Sequence, residues 1–155
     1  MSSLRLPIIV LACLGLLGVS FAQRAPASAA AAKGKPGKSN YPQVMEIFSG
    51  HCGTSKCHGG LTPKHKMELV TYQGLHDTVV DIAAEEVPGM KRVLPGQPEE
   101  SYLFLKITKH RRPDDTRIKW KAMPYEAAPP YGEKRLSDAQ IAVIEQWIKQ
   151  GAPLE

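Results

Sequence analysis

Cys52-Gly53-Thr54-Ser55-Lys56-Cys57-His58 is the stretch on which the reading of this 155-residue chain turns. Two thiols with a histidine directly after the second form the arrangement that holds a c-type haem. The thiols add to the two vinyl groups, and the neighbouring imidazole then lies under the iron. Four residues separate the cysteines here, where two is usual. Gly53, Thr54 and Ser55 are residue types that let a short loop bulge to take up the difference.

Cysteine usage agrees with this reading. The chain has three cysteines, and Cys13 lies in the N-terminal apolar run, which leaves Cys52 and Cys57 for the folded part. Covalent attachment consumes both and leaves no free thiol, as suits an oxidising compartment. Two plainer readings compete, a small-loop disulfide and a structural zinc site. Zinc calls for four ligands and a second Cys/His pair at ligand spacing. His65, His76 and His110 stand apart from one another instead. The adjacent histidine favours haem.

The length allows one domain plus N-terminal extras. Arg5 is the one charge in residues 1–22, and the apolar stretch Leu6 to Ala22 ends in Ser20-Phe21-Ala22. Small residues stand at the two positions that signal peptidase reads, which predicts a signal peptide and an exported, periplasmic protein. The apolar run, 17 residues from Leu6 to Ala22, also reaches the short edge of a bilayer span, so an uncleaved anchor is the alternative. A lipoprotein box at Val10-Leu11-Ala12-Cys13 is disfavoured because the run continues past Cys13. Cleavage after Ala22 removes Arg5 and no acid, taking the formal charge from +5 to +4. Gln23 to Asn40, rich in Ala, Lys, Gly, Pro and Ser, reads as a flexible linker. With no basic helix and no aromatic-studded basic sheet, nothing points to nucleic acid.

The domain is expected over residues 41–155, and its pattern is helical throughout. Tyr41, Val44, Ile47 and Phe48 recur at helical spacing behind Pro42, and that helix runs straight into Cys52. At the far end, Ser137 and Gln140 predict a capping box, with Leu136 stapled to Ile141. Ile141, Ile144, Trp147 and Ile148 then form one apolar face, and Gly151 and Pro153 stop the helix. A third helix is expected from Pro98-Glu99-Glu100 to Arg112, and a fourth over about Tyr72 to Ala84. No alternating strand pattern or internal repeat competes, so the fold class is all-α.

An iron that only passes electrons takes a sixth ligand, usually Met or His. Met123, in Lys121-Ala122-Met123-Pro124, is the candidate: a Met in a polar, Pro-bounded loop has little reason to be there for core packing. Met45 reads as core, and Met67 and Met90 are reserve candidates. His76 lies on a surface helix, His110 in a basic run, and His51 directly precedes Cys52.

These pieces together resemble the small class I cytochromes c, in particular single-haem domains of planctomycete and myxobacterial exported proteins. The likeness rests on the helix entering Cys52–His58, on Val93-Leu94-Pro95-Gly96-Gln97-Pro98-Glu99-Glu100-Ser101-Tyr102-Leu103, on Met123-Pro124, and on Leu136 through Trp147 to Pro153. It implies a cytochrome c-like helical fold around one haem c, with thioether links at Cys52 and Cys57. It further implies His58 as proximal ligand, Met123 as distal ligand, Phe48 and Trp147 at the crossing of the first and last helices, and Pro63 as the carbonyl orienting the proximal imidazole. The departures are the four-residue gap and a long link from Tyr125 to Arg135.

With both axial positions filled, the expected role is one-electron transfer between redox partner proteins rather than enzymatic turnover. Lys56, Lys64, Lys66, Lys119 and Lys121 flank the ligand segments and are expected to favour an acidic docking surface. If Met123 does not bind, an open-site haem sensor or enzyme results. If no haem binds, the chain is a disulfide-stapled helical binding domain.

Overall fold

The computed structural model describes residues 39–125 and 135–155. The expected signal segment, nearly all of the linker and most of the Tyr125–Arg135 link lie outside the described residues. Helix α1 spans Tyr41–His51 and carries its apolar residues Val44, Ile47 and Phe48 to the core. Helix α4 spans Asp138–Lys149 and buries Ile141, Ile144, Trp147 and Ile148.

The two helices pack on each other through Phe48 and Trp147, whose rings meet edge to face with centroids 5.9 Å apart. Such a pair adds about 0.5–1.5 kcal/mol beyond the area it buries. The indole Nε1–H donates to the Pro153 carbonyl at 2.8 Å, so burying this tryptophan leaves no polar group unpaired. The Asn40 side chain donates to the Val143 carbonyl at 2.8 Å and ties the start of α1 to the same helix.

The ends of α4 follow the sequence signals. Ser137 accepts from the Gln140 backbone and the Gln140 side chain accepts from the Ser137 N–H, completing the capping box. At the other end, Gly151 donates to Ile148 and Ala152 donates to Trp147. Those two bonds form a Schellman closure, which requires the positive φ of 97° at Gly151.

Two expected helices are shorter than their patterns suggested. Helix α2 spans only Tyr72–Thr78, capped by Thr71, whose hydroxyl accepts from the Gly74 N–H. It stops because the next residues pair with a distant segment: Asp81 donates to Val93 at 2.8 Å, and Arg92 donates to Ile82 at 2.7 Å. The expected helix over 98–112 divides into a 3₁₀ turn at Pro98–Glu100, helix α3 at Tyr102–Thr108, and a second turn at Lys109–Arg111. Ser101 is the break. Its backbone is extended, and its buried hydroxyl donates to the Gln97 carbonyl while accepting from the Leu94 N–H. Tyr102 and Leu103 then donate to Lys91 and Arg92, so the start of α3 is anchored to a neighbouring loop. Among the described residues the β-structure is limited to isolated bridges, at Val80–Val93, Ala83–Lys91 and Lys91–Ser101. The all-α class therefore holds.

Among the described residues no helix is long and apolar enough to cross a membrane.

Replacing Ser137 by Ala removes one side of the capping box without touching the core. It is expected to destabilise the domain by about 1 kcal/mol. Urea unfolding should show a lower midpoint with an unchanged slope.

Candidate functional site

At the end of helix α1 one carbonyl receives two successive donors: Cys52 and Gly53 both bond the Phe48 carbonyl, each at 2.8 Å. The four residues between the cysteines then close into a hydrogen-bonded turn. Cys57 donates to Thr54 at 2.9 Å, His58 reaches back to Cys52 at 2.9 Å, and Gly59 returns to Thr54 at 3.2 Å. The loop closes so tightly that a Cβ on Gly59 would lie 2.2 Å from the Gly53 carbonyl oxygen. Glycine at that position is a steric requirement. The longer gap is thus absorbed by a hydrogen-bonded bulge, and the His58 backbone stays bonded to Cys52 at the end of α1.

His58 is held at both ends. Its carbonyl accepts from Leu69 at 2.9 Å, and its Nδ1 lies 3.1 Å from the Met67 carbonyl. A carbonyl only accepts, so Nδ1 carries the proton and donates. The neutral ring then presents Nε2 as an unprotonated lone pair. Burial lowers the pKa of His58, outweighing the opposing hydrogen bonds to the Met67 and Lys64 backbones, and keeps it neutral. This corrects one expectation. The carbonyl that orients the imidazole belongs to Met67, whereas that of Pro63 accepts from Lys66 at 3.0 Å.

His58, Cys52 and Met123 line one cleft, which encloses about 680 Å³ counting its open mouth. Phe48, Leu69, Leu103 and Ile107 supply its apolar walls. Met123 reaches the cleft because its backbone N–H donates to the Lys106 carbonyl at 3.0 Å, pinning the loop to α3. Cys57 does not join them. Its side chain is exposed and stands outside the lining residues, and both it and Cys52 are free thiols. Burial, with a smaller contribution from nearby Cys57, pushes the Cys52 thiol up to about 12, so it stays protonated at neutral pH.

The remaining candidates separate cleanly. Met67 lines the cleft, while Met45 packs against the core, as read from the sequence. Met90, His76 and His110 do not line the cleft, and His76 is paired with Asp77. His51 faces Gln140 of α4, with ring Nε2 and the amide nitrogen 2.8 Å apart.

One wall of the cleft had no counterpart in the sequence reading. His65, Glu85, Glu86, Arg92, Tyr102 and Lys106 bring a charged network to its edge. The Tyr102 hydroxyl donates to Glu86 at 2.6 Å, and the Lys106 ammonium donates to Glu86 at 3.1 Å and to the Lys119 carbonyl at 3.0 Å. Burial, then the Glu86 hydrogen bond and charge, push the Tyr102 phenol well above its usual range. For Glu86, burial alone would raise the carboxyl. The bonds from Tyr102 and Lys106 outweigh it and hold the group below its ordinary 4.5. A lysine on the buried side of α3 was the one sequence signal available: Lys106 sits between Leu105 and Ile107.

The donor set suits the haem expected from the motif. An unprotonated imidazole nitrogen, a thioether sulfur and a thiol share an apolar-walled cleft within the size range of ligand sites. Among the described residues, no group of three or more His, Cys, Asp or Glu side chains gathers as an all-protein metal site.

Because the folded state holds Glu86 below its unfolded pKa, its stabilisation is complete above about pH 4.5 and is lost as pH falls through the folded value. Glu86→Gln is expected to cost about 1.5–3 kcal/mol at pH 7, the range for hydrogen bonds to charged groups. It should also flatten the loss of stability on acidification. Urea midpoints measured from pH 7 down to pH 3 in both proteins check this.

Compared with family models, with curated proteins and with solved structures, the chain matches none, so its functional reading stands on the geometry of this cleft.

Proposed function

We propose that this chain is an exported monohaem c-type cytochrome that carries single electrons between redox partners. The observation that carries the reading is the shared cleft. His58, its Nδ1 committed to the Met67 carbonyl, lines it together with Cys52 and Met123. A haem bound there supplies one reversible electron at its iron.

A haem in the cleft would be held by His58 through Nε2 and by the Met123 thioether. Cys52 and Cys57 are the thiols that could supply covalent links to it. Phe48, Leu69, Leu103 and Ile107 keep water from the cleft and limit rearrangement of the ligands. With both side chains bound, the iron would have no open site for a substrate, so the role would be carriage rather than turnover. A Met ligand raises the potential relative to a second imidazole. Lys56, Lys64, Lys66, Lys119 and Lys121 are all exposed, which supports docking to an acidic partner.

The position of Cys57 favours one variant of this reading, in which Cys52 alone carries the covalent link. Two substitutions separate the variants. In the doubly linked form, Cys52→Ala and Cys57→Ala each leave one thioether, and both proteins retain haem with altered reduced bands. In the singly linked form, Cys52→Ala loses haem on denaturing extraction while Cys57→Ala matches the wild type.

The reading itself is tested by a visible spectrum of the exported protein after denaturing extraction. Retained haem with sharp reduced bands, and a weak long-wavelength sulfur–iron band when oxidised, is the expected result. Met123→Ala should keep the haem, lose that band and turn the ferric spectrum high-spin and cyanide-sensitive. A colourless extract of the wild type overturns the cytochrome reading, and an unchanged Met123→Ala spectrum moves the distal ligand elsewhere.

A further inference from the structure

Arg92 takes no part in the chemistry proposed for the cleft, yet it is the most heavily engaged side chain beside it. The residue is 7% exposed. Nη1 donates to the Thr78 carbonyl at 2.6 Å and to the Lys66 carbonyl at 3.3 Å. Nη2 donates to the His65 carbonyl at 2.7 Å and to the Glu85 carboxylate at 3.2 Å. Thr78 is the last residue of α2, and Arg92 itself is bonded through its backbone to Ile82 and Leu103. The guanidinium therefore joins a fixed part of the core to the turn at His65 and Lys66.

That turn is one the chain would not choose alone. His65 and Lys66 are consecutive non-glycine residues in the left-handed region, with φ of 54° and 52°. L-residues enter that region singly and at a cost, and a pair persists only where surroundings hold it. Arg92 holds it by binding both carbonyls. The next residue is Met67, whose carbonyl receives the His58 Nδ1 proton. The chain of contacts runs from α2 through Arg92 to the strained turn, then to the Met67 carbonyl and the imidazole.

We propose that Arg92 is the positioning residue of His58: by clamping the His65–Lys66 turn it sets the strength of the hydrogen bond from His58 Nδ1 to the Met67 carbonyl. The effect on a bound iron rests on the cytochrome reading; the effect on the imidazole does not. A stronger bond makes the ring a more basic ligand, which favours the ferric state. A lysine supplies charge without the planar fork, so it reaches fewer of the four acceptors.

The test uses the full-length, haem-loaded protein with Arg92→Gln and Arg92→Lys. Two quantities are read, the reduction potential and the rate at which the His58 Nδ1 proton exchanges with deuterium in the reduced protein by NMR. Arg92→Gln should exchange about fivefold faster or more, the equivalent of one net hydrogen bond, and its potential should move positive. The sulfur–iron band should stay in place, because the distal loop is pinned to α3. Arg92→Lys keeps the charge beside Glu85 and should shift both quantities less, in the same direction. If Arg92→Gln does not accumulate, Arg92→Lys decides alone. Folded, haem-loaded variants with wild-type exchange and potential overturn the proposal. A wild type that binds no haem overturns only the cytochrome reading. The exchange comparison on the haem-free full chain then decides Arg92, with faster exchange in the variants supporting it and equal rates overturning it.

Discussion

The edge-to-face contact of Phe48 with Trp147 is the constraint on which the rest of the domain depends. It fixes where α1 ends relative to α4, and the cysteine loop starts from that end. Phe48 serves twice: its ring packs on the indole and also lines the cleft, while its carbonyl receives both Cys52 and Gly53. A shift of this crossing would move Cys52 and His58 together. The core and the candidate site therefore share one structural origin.

Two kinds of force build the cleft. Apolar burial forms the side made by α1, α3 and Leu69, and needs only side chains of suitable volume. The other side is polar and is held by direction: Glu86 gathers Tyr102 and Lys106, and Arg92 gathers the turn before Met67. Buried charges are costly unless paired, and here each has a partner and further backbone acceptors. Lys106 contributes on the Met123 side, where its backbone carbonyl holds Met123 and its ammonium holds Lys119. Arg92 contributes on the His58 side. The adjacent carboxylates Glu85 and Glu86 thus anchor the supports of the segments that carry Met67 and Met123, and His65 stands 3.4 Å from one and 3.9 Å from the other.

Much of this was legible in the residues. Helices α1 and α4 appeared with their buried faces, and α4 with its capping box and stop signals, because those features are local in the chain. Met45 was read as core, and Cys52, His58 and Met123, singled out for their chemistry, line one cleft. The errors fell where distant backbone competes with local propensity. Helix α2 ended early because its continuation pairs with Arg92 and Val93, and the 98–112 helix broke because Ser101 bonds its own loop. Pro63 was assigned the orienting carbonyl, which belongs to Met67. That difference turns on the left-handed turn at His65 and Lys66, which neither side chain announces.

The helical class, the two framing helices and the reactive residue types of the Cys52–His58 run are written in the residues themselves. Periodicity, capping and motif chemistry are properties of neighbouring residues. Tertiary packing alone brings Met123 and His58 into one cleft, leaves Cys57 exposed and outside its lining, and sets Arg92 and Glu86 behind the segments that carry Met67 and Met123. Those facts depend on contacts between residues far apart in the chain. A buried arginine and a surface arginine look alike until the fold places a carbonyl in front of one of them.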